Sequence, residues 1–214
     1  VLYLDWEVTR EEAARRATLL SNGLQQRRIG ATLELPLYRR CVGSIQDEAG
    51  EIAKNIAQHQ VGLVIVDSAG PACGGDVMSG ELATQMFNTL RKVTAAPKAS
   101  IGILTHTTKA DRREENQHRM PIGSIYFENL ARATWEIRAQ EAGDDSTLQV
   151  GLFPRKSNVA RPPAVGLRFS FQRDAITVDH VAPEDVTTEQ SATQRMILAE
   201  LARGPVSVSE LAEA

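Results

Sequence analysis

The segment Leu63–Ser68, with the sequence LVIVDS, constrains the fold of this chain more than any other feature. Four apolar residues, three of them β-branched, lead directly into a carboxylate and a hydroxyl. A strand without polar alternation is typical of a parallel sheet that is buried on both faces. A carboxylate at its carboxyl end lies where α/β proteins bind ligands. Asp67 and Ser68 therefore indicate either a site for the Mg²⁺ of a nucleoside triphosphate or a side chain that caps a loop.

Composition limits the classes to which this chain can belong. Its 214 residues, 42% of them hydrophobic, suffice for one domain with an appendage. Because the net charge is −3, nucleic-acid binding would need a local basic patch. The two cysteines and four histidines lack the spacing of metal ligands, which argues against zinc. The sequence contains neither a membrane-spanning run nor a signal peptide, so we expect a soluble, cytoplasmic protein without a membrane partner.

The first half of the chain alternates between strand-like and helical patterns. The strand-like segments are Val1–Leu4, Leu33–Tyr38, Val61–Asp67 and Ala99–Leu104. Capping signals at Thr9 and Ser44 begin two amphipathic helices, a Gly-rich loop covers Ala69–Gly75, and a third helix covers about 79–93. Strands that alternate with helices predict βαβ units and a parallel sheet.

The pattern changes after residue 107. A long polar loop reaches Pro121, a short helix covers Gly123–Ala131, and four strand-like segments follow. Those segments are Thr134–Ala139, Thr147–Phe153, Val165–Phe171 and Ile176–Val178, which we interpret as an antiparallel extension of the sheet. Residues 183–190 have the composition of a linker, and residues 191–214 have the pattern of a helix, a turn and a second helix.

Polar side chains follow three of the predicted buried strands. They are Glu7, Asp67 and His106, and parallel strands should bring them to one rim of the sheet. Taken singly, Glu7 could be a helix-capping partner and His106 a hydrogen-bonded rim histidine. Together they fit phosphoanhydride hydrolysis, which needs a Mg²⁺-binding carboxylate, a group that activates water and a polar contact to the γ-phosphate.

The ordered motifs LYLDWE, LVIVDS, GILTHTTK and PIGS…ENLAR resemble the RecA-like ATPase core, in particular that of plasmid RepA-type hexameric replicative helicases and their AAA-labelled relatives. The resemblance covers roughly residues 1–172. It implies an α/β fold with a mostly parallel sheet flanked by helices and ATP and Mg²⁺ as ligands. It also implies that Asp67, beside Ser68, is the Mg²⁺-binding Walker B aspartate, Glu7 the catalytic glutamate and His106 the γ-phosphate sensor.

The same resemblance implies a shared active site in a homo-oligomer, expected to be a hexamer. The spacing of Gly123-Ser124, Asn129 and Arg132 matches the helix that carries the arginine finger in RepA-type helicases. Arg155 and Lys156 resemble a second basic element that faces the neighbouring site. A fixed cation stabilises charge on the transferring phosphoryl group. The alternative for Arg132 is a surface salt bridge with Glu128, four residues earlier on the same helix.

The chain departs from the family at the phosphate-binding loop. No Gly-Lys-Ser/Thr sequence is present, and the nearest Gly-rich stretch, Gly74-Gly75-Asp76, lacks the lysine. We expect that the strand and loop ahead of Val1 were removed by truncation and that the C-terminal end is also cut. A fragment of this kind should bind ATP poorly and be marginally stable.

Two further segments suggest contacts with DNA. The loop after His106 carries four basic residues, and RecA-like rings hold single-stranded DNA at this position. The residues are Lys109, Arg112, Arg113 and Arg119. Neighbouring acidic residues nearly cancel their charge, so a solvated loop is the alternative. Thr193–Ala214 resembles the opening of a winged helix-turn-helix that would bind duplex DNA, whereas a helical hairpin is the simpler interpretation.

These expectations define a RecA-like ATPase core at 1–182, a linker at 183–190 and an incomplete winged helix at 191–214. The expected function is an ATP-dependent DNA motor, in particular a replicative helicase of a mobile element. One alternative is a DNA-binding regulator that keeps the ATPase core as a nucleotide-gated scaffold. Another is a RecA-type recombination mediator, which would form filaments instead of rings.

Overall fold

The computed structural model describes residues 1–27, 35–107, 121–141, 146–183 and 186. Its first half contains β1 (Leu2–Asp5), α1 (Arg10–Gln26), β2 (Leu37–Arg40), α2 (Ile45–Gln58), β3 (Leu63–Asp67), α3 (Ala69–Ala72), α4 (Gly80–Thr94) and β4 (Ser100–Ile103). Its second half contains α5 (Tyr126–Leu130), β5 (Ala133–Glu141), β6 (Thr147–Ser157), β7 (Val165–Phe171) and β8 (Ile176–Val181). The predicted helix-turn-helix at 191–214 lies outside the described residues, as does the predicted linker apart from Pro183 and Val186.

The four strands of the first half form the predicted parallel sheet, in the order β2-β1-β3-β4. In this register Asp5 on β1 lies beside Arg40 on β2 and beside Asp67 on β3. The predicted strand at Leu33–Tyr38 is found at Leu37–Arg40. The carboxyl ends of β1, β3 and β4 are therefore neighbours, as the interpretation of the polar strand ends requires.

One face of the parallel sheet forms the core. Leu2, Leu4, Val64 and Val66 are at most 1% exposed and share one cluster with apolar residues of α2 and α4. The prediction that β3 is buried on both faces was wrong, because its alternate residues, Ile65 among them, are only partly buried. Burial alternates along β3 because Val64 and Val66 share a cluster with buried residues of α2 and α4, whereas Ile65 points to the other face of the sheet.

Side-chain caps begin the three long helices of this half, α1, α2 and α4. Thr9 Oγ1 accepts a hydrogen bond from Glu12 N at 3.3 Å, and Ser44 with Asp47 forms a reciprocal capping box. Both predicted helix starts are confirmed. The Gly-rich segment after Asp67 is not wholly a loop as predicted, because Ala69–Ala72 forms the short α3.

The strands of the second half form a separate antiparallel sheet in the order β5-β6-β7-β8. The prediction of an antiparallel extension of the parallel sheet was therefore wrong for the described residues. Neither β4 nor β5 has a second described strand beside it, so both are edge strands. Sequence periodicity identifies strands but does not show which strand lies beside which, and this is the origin of the error.

Helix α1 connects the two sheets. A side chain at Gly23 would place Cβ 2.0 Å from the carbonyl oxygen of Ile176, so only glycine permits this close approach to β8. Arg27 forms an ion pair with Asp179 on the same strand, and Asn22 Nδ2 donates to Asp174 O at 2.7 Å. No described helix has the length and apolar character to cross a membrane.

Candidate functional site

Glu7, Ser68 and His106 meet at the carboxyl ends of β1, β3 and β4. Ser68 Oγ donates a hydrogen bond to Glu7 Oε1, and His106 Nε2 lies 3.2 Å from the same oxygen. Ser68 is 2% exposed, whereas the His106 and Glu7 side chains are 71% and 37% exposed. The convergence of these strand ends, expected from the sequence, is confirmed by geometry, and it leaves a carboxylate and an imidazole open to solvent.

Asp5 shapes the turn that presents Glu7. Its Oδ1 accepts hydrogen bonds from the backbone N–H groups of Glu7 at 2.7 Å and Val8 at 3.0 Å. Tyr38 donates to the other oxygen at 3.0 Å, so the fully buried carboxylate is paired on both sides. Asp5 was not among the residues predicted for the site, although it lies directly before Trp6-Glu7 at the end of the first strand.

Tyr3 contacts the candidate metal carboxylate. Its hydroxyl donates a hydrogen bond to Asp67 Oδ2, and its ring stacks on that of Tyr38 with centroids 6.3 Å apart and planes at 19°. Burial and the bond to Asp67 raise the pKa of Tyr3 well above its ordinary value. This tyrosine pair was not predicted from the sequence. Strand periodicity places Tyr3 on the same face as Asp5, but only the pairing of β1 with β2 and β3 brings Tyr38 and Asp67 beside it.

The donor atoms around Asp67 fit a nucleotide-bound Mg²⁺. Asp67 Oδ2 accepts from Tyr3, while no described donor bonds to Oδ1. No group of three or more His, Cys, Asp or Glu side chains that could hold a metal occurs among the described residues. Mg²⁺ in nucleotide sites is bound through one or two carboxylates together with substrate phosphates, so a single open carboxylate oxygen suits it. The peptide bond between Asp67 and Ser68 is cis.

Hydrogen bonds set the charge state of Glu7. The bond from Ser68 lowers the pKa of Glu7 below its ordinary value, and contact with His106 lowers it further, against the opposing effect of burial. Glu7 is therefore ionised at neutral pH. An ionised carboxylate beside a solvent-exposed imidazole can accept a hydrogen bond from a water molecule and orient it.

The predicted basic elements lie on the second half of the molecule. The Arg132 side chain is exposed, and its backbone carbonyl oxygen accepts a hydrogen bond from Asn158 N at 3.0 Å. Arg155 pairs with Glu136, and Lys156 Nζ donates to the carbonyl oxygens of Glu128 and Asn129 at 2.9 and 3.0 Å. No described contact joins these cations to Glu7 or Asp67 within one chain.

The predicted DNA-binding residues Lys109, Arg112, Arg113 and Arg119 lie outside the described residues. The two ends of their segment are described and lie together: Thr107 forms a β-bridge with Pro121, and Ile122 N donates to His106 O at 2.6 Å. Both ends of the segment therefore lie beside His106.

This geometry defines an α/β protein with a polar site at the carboxyl ends of parallel strands. The family model of the AAA domain matches residues 1–112, which is slightly more than half of the chain. The chain therefore belongs to the AAA domain family, a classification that carries nucleotide-dependent ATPase-type function. The matched region contains Glu7, Asp67, Ser68 and His106. No curated protein matches the sequence.

Proposed function

We propose that this chain forms part of an ATP-dependent DNA motor, a replicative helicase of a mobile element that works as a hexamer. The observation that supports it most is the contact of Glu7 with Ser68 and His106 at the rim that also carries Asp67. The motor requires a phosphate-binding loop, which the 214 residues lack.

Each residue at the rim has a definite part in hydrolysis. Ionised Glu7 orients the attacking water and accepts its proton, while Ser68 holds the Glu7 carboxylate in place. His106 contacts the γ-phosphate through its exposed ring. Asp67 would hold Mg²⁺, which neutralises charge that develops on the phosphate oxygens.

The neighbouring subunit completes the site. Arg132 is exposed and has no described ion pair, which leaves its guanidinium available to a second subunit. Lys156 is held at the C-terminal end of α5. Arg155 contributes less directly, since its guanidinium is bound to Glu136. A finger supplied between subunits contributes on the order of 10³–10⁵ in rate and ties hydrolysis to ring assembly.

The DNA contact is proposed for the segment that contains Lys109, Arg112, Arg113 and Arg119. Because both ends of this segment lie beside His106, a change at the γ-phosphate can reach a bound strand directly. Binding of single-stranded DNA should weaken steeply with salt. We propose that the tail at 191–214, which lies outside the described residues, contributes a contact with duplex DNA.

Substitution of Glu7 tests the hydrolytic assignment in the polypeptide translated from the whole reading frame. Glu7→Gln should lower the turnover of ATP by roughly 10²- to 10⁴-fold while nucleotide affinity is retained. Glu11→Gln is the matched control, because Glu11 is an exposed glutamate in the first turn of α1. Turnover of Glu7→Gln near that of the control would show that Glu7 is not the base.

Mixing of subunits tests the shared site. Glu7→Gln and Arg132→Ala should each lower hydrolysis strongly when tested alone, yet equimolar mixtures should recover part of it, because some interfaces regain both groups. Arg173→Ala, which changes an exposed arginine between β7 and β8, is the control and should hydrolyse ATP normally. No recovery in mixtures that form rings would contradict an arginine supplied by the neighbour.

Unwinding and electron microscopy separate the motor from the two alternatives. A helicase separates forked DNA when ATP is present, whereas a DNA-binding regulator hydrolyses ATP without strand separation. Particles formed with ATP and single-stranded DNA should be closed rings. Open filaments would favour a recombination mediator instead.

A further inference from the structure

Two tyrosines connect the two carboxylates at the strand ends. Tyr3 donates to Asp67, and Tyr38 donates to Asp5 at 3.0 Å, while the two rings stack on each other. Asp5 in turn accepts from the backbone N–H groups of Glu7 and Val8. The candidate metal carboxylate and the turn that carries the candidate base are therefore joined through the Tyr3–Tyr38 pair.

The hydroxyl of Tyr3 restricts the Asp67 carboxylate. A carboxylate with both oxygens free can rotate about its terminal torsion, which has a broad and roughly two-fold energy profile. A donor on Oδ2 selects one orientation and leaves Oδ1 without a described donor. The Tyr3 ring cannot easily follow a rotation of Asp67, because it lies against Tyr38 at an interplanar angle of 19°.

We propose that Tyr3 is a positioning residue of the hydrolytic site, whose hydroxyl holds the Asp67 carboxylate so that Oδ1 faces the Mg²⁺ of the bound nucleotide. This inference rests on the proposed ATPase function. If it is right, loss of the Tyr3 hydroxyl raises the Mg²⁺ concentration that nucleotide binding needs. Loss of a residue that only supports the fold would not change that concentration selectively. Tyr38 supports Tyr3 by stacking, but its own hydroxyl acts on Asp5 and the Glu7 turn.

The test is the Tyr3→Phe variant in the polypeptide translated from the whole reading frame. This change removes one hydroxyl and keeps the ring that stacks on Tyr38. Binding of a fluorescent ATP analogue is titrated with Mg²⁺ and is also measured in EDTA. The Mg²⁺ concentration at half-maximal binding should rise roughly ten- to a hundredfold, the size expected for one lost hydrogen bond to a charged group, whereas affinity in EDTA stays at the wild-type value.

Tyr38→Phe is the matched control, since it removes the same atom from the stacked partner. It should leave the Mg²⁺ midpoint unchanged, because the Tyr38 hydroxyl does not contact Asp67. An unchanged or lower Mg²⁺ midpoint in Tyr3→Phe would overturn the inference. So would an equal rise in both variants, or a loss of affinity in EDTA, because either result indicates a general disturbance of the fold.

The proposed function can fail separately from this inference. If the wild-type polypeptide shows no Mg²⁺-dependent binding of nucleotide, the ATPase proposal is wrong and Asp67 has no metal for Tyr3 to serve. If the wild type binds and requires Mg²⁺ but Tyr3→Phe keeps its midpoint, only the role of Tyr3 is wrong. Thermal melting of both variants provides the folding reference for this comparison.

Discussion

The two sheets of this protein are stabilised in different ways. The parallel sheet lies on a core in which Leu4, Val66 and Ile52 are fully buried. In the antiparallel sheet the buried charged group is Glu136, which is 5% exposed and bonds to Arg138 and Arg155. Apolar side chains of the same sheet are exposed, with Trp135 at 41% and Ile137 at 55%. The candidate hydrolytic residues lie on the half with the apolar core, where packing holds the strand ends in fixed register.

An isoleucine in each half gives the largest expected contrast. Ile52→Ala on α2 removes a fully buried side chain and should lower the free energy of unfolding by about 4 kcal/mol. The same change at Ile137, which is 55% exposed, should cost less than about 1 kcal/mol. Urea unfolding followed by circular dichroism measures both. Similar losses at the two positions would show that the antiparallel sheet has an apolar core comparable to that of the parallel sheet.

Two glutamates that each bond to two arginines give the next contrast. Glu136 pairs with Arg138 and Arg155 and its side chain is 3% exposed, whereas Glu12 pairs with Arg15 and Arg16 on the surface of α1. Glu136→Gln should lower the free energy of unfolding by about 3 kcal/mol, because it leaves two partly buried guanidinium groups without their counter-charge.

Glu12→Gln is the matched control and should leave the urea midpoint unchanged, since exposed ion pairs contribute little. This result is expected although the bonds from Arg15 and Arg16 lower the pKa of Glu12 to about 2. If Glu12→Gln destabilised the protein as much as Glu136→Gln, burial would not be what distinguishes the two clusters.

The same comparison shows how far the sequence was informative. Helix starts at Thr9 and Ser44 were predictable because capping depends on residues three positions apart. The rim formed by Glu7 and His106 was predictable because parallel strands share a direction. The bond from Tyr3 to Asp67 was not, since it depends on β1 lying between β2 and β3.

Pairing between distant residues also explains what was missed in the second half. Arg155 was assigned to a neighbouring subunit's site from its resemblance to a family motif. Its bond to Glu136 arises from the register of β5 with β6, which shifts between Thr134 and Trp135. Such an irregularity has no signature in the periodicity of either strand. The separation of the antiparallel sheet from the parallel one was missed for the same reason.

Acid should reduce the stability that the ion pairs of Glu136 with Arg138 and Arg155 contribute. Burial opposes ionisation of Glu136, but the bonds from Arg138 and Arg155 prevail and lower its pKa below the ordinary value of 4.5. A glutamate with a lowered pKa stabilises the fold above the pKa of the unfolded chain, and that contribution is lost as pH falls through the folded pKa. Stability should therefore decrease below about pH 4.5, and the decrease should be smaller in Glu136→Gln. The urea midpoints of the wild type and of Glu136→Gln are measured at pH 6 and at successively lower pH. If the midpoints of both proteins fall equally with pH, Glu136 is not the cause of the acid sensitivity.

The smallest expected difference between the two halves is in the urea concentration at which each half unfolds, and the two cysteine thiols report on it. Cys41 and Cys73 are each 1% exposed and belong to the core of the parallel sheet, and burial raises the pKa of Cys41 to about 11. The thiolate is the reactive form, so labelling by a disulfide reagent at neutral pH requires that this half opens. In a urea titration, labelling of the cysteines should begin at the same urea concentration as the change in emission of Trp6, which is 8% exposed in the same core. The emission of Trp135 should change at a lower urea concentration. Variants that keep one tryptophan each separate the two signals. Coincident transitions would mean that the two sheets unfold as one cooperative unit, with α1 and its contacts to β8 as the physical link.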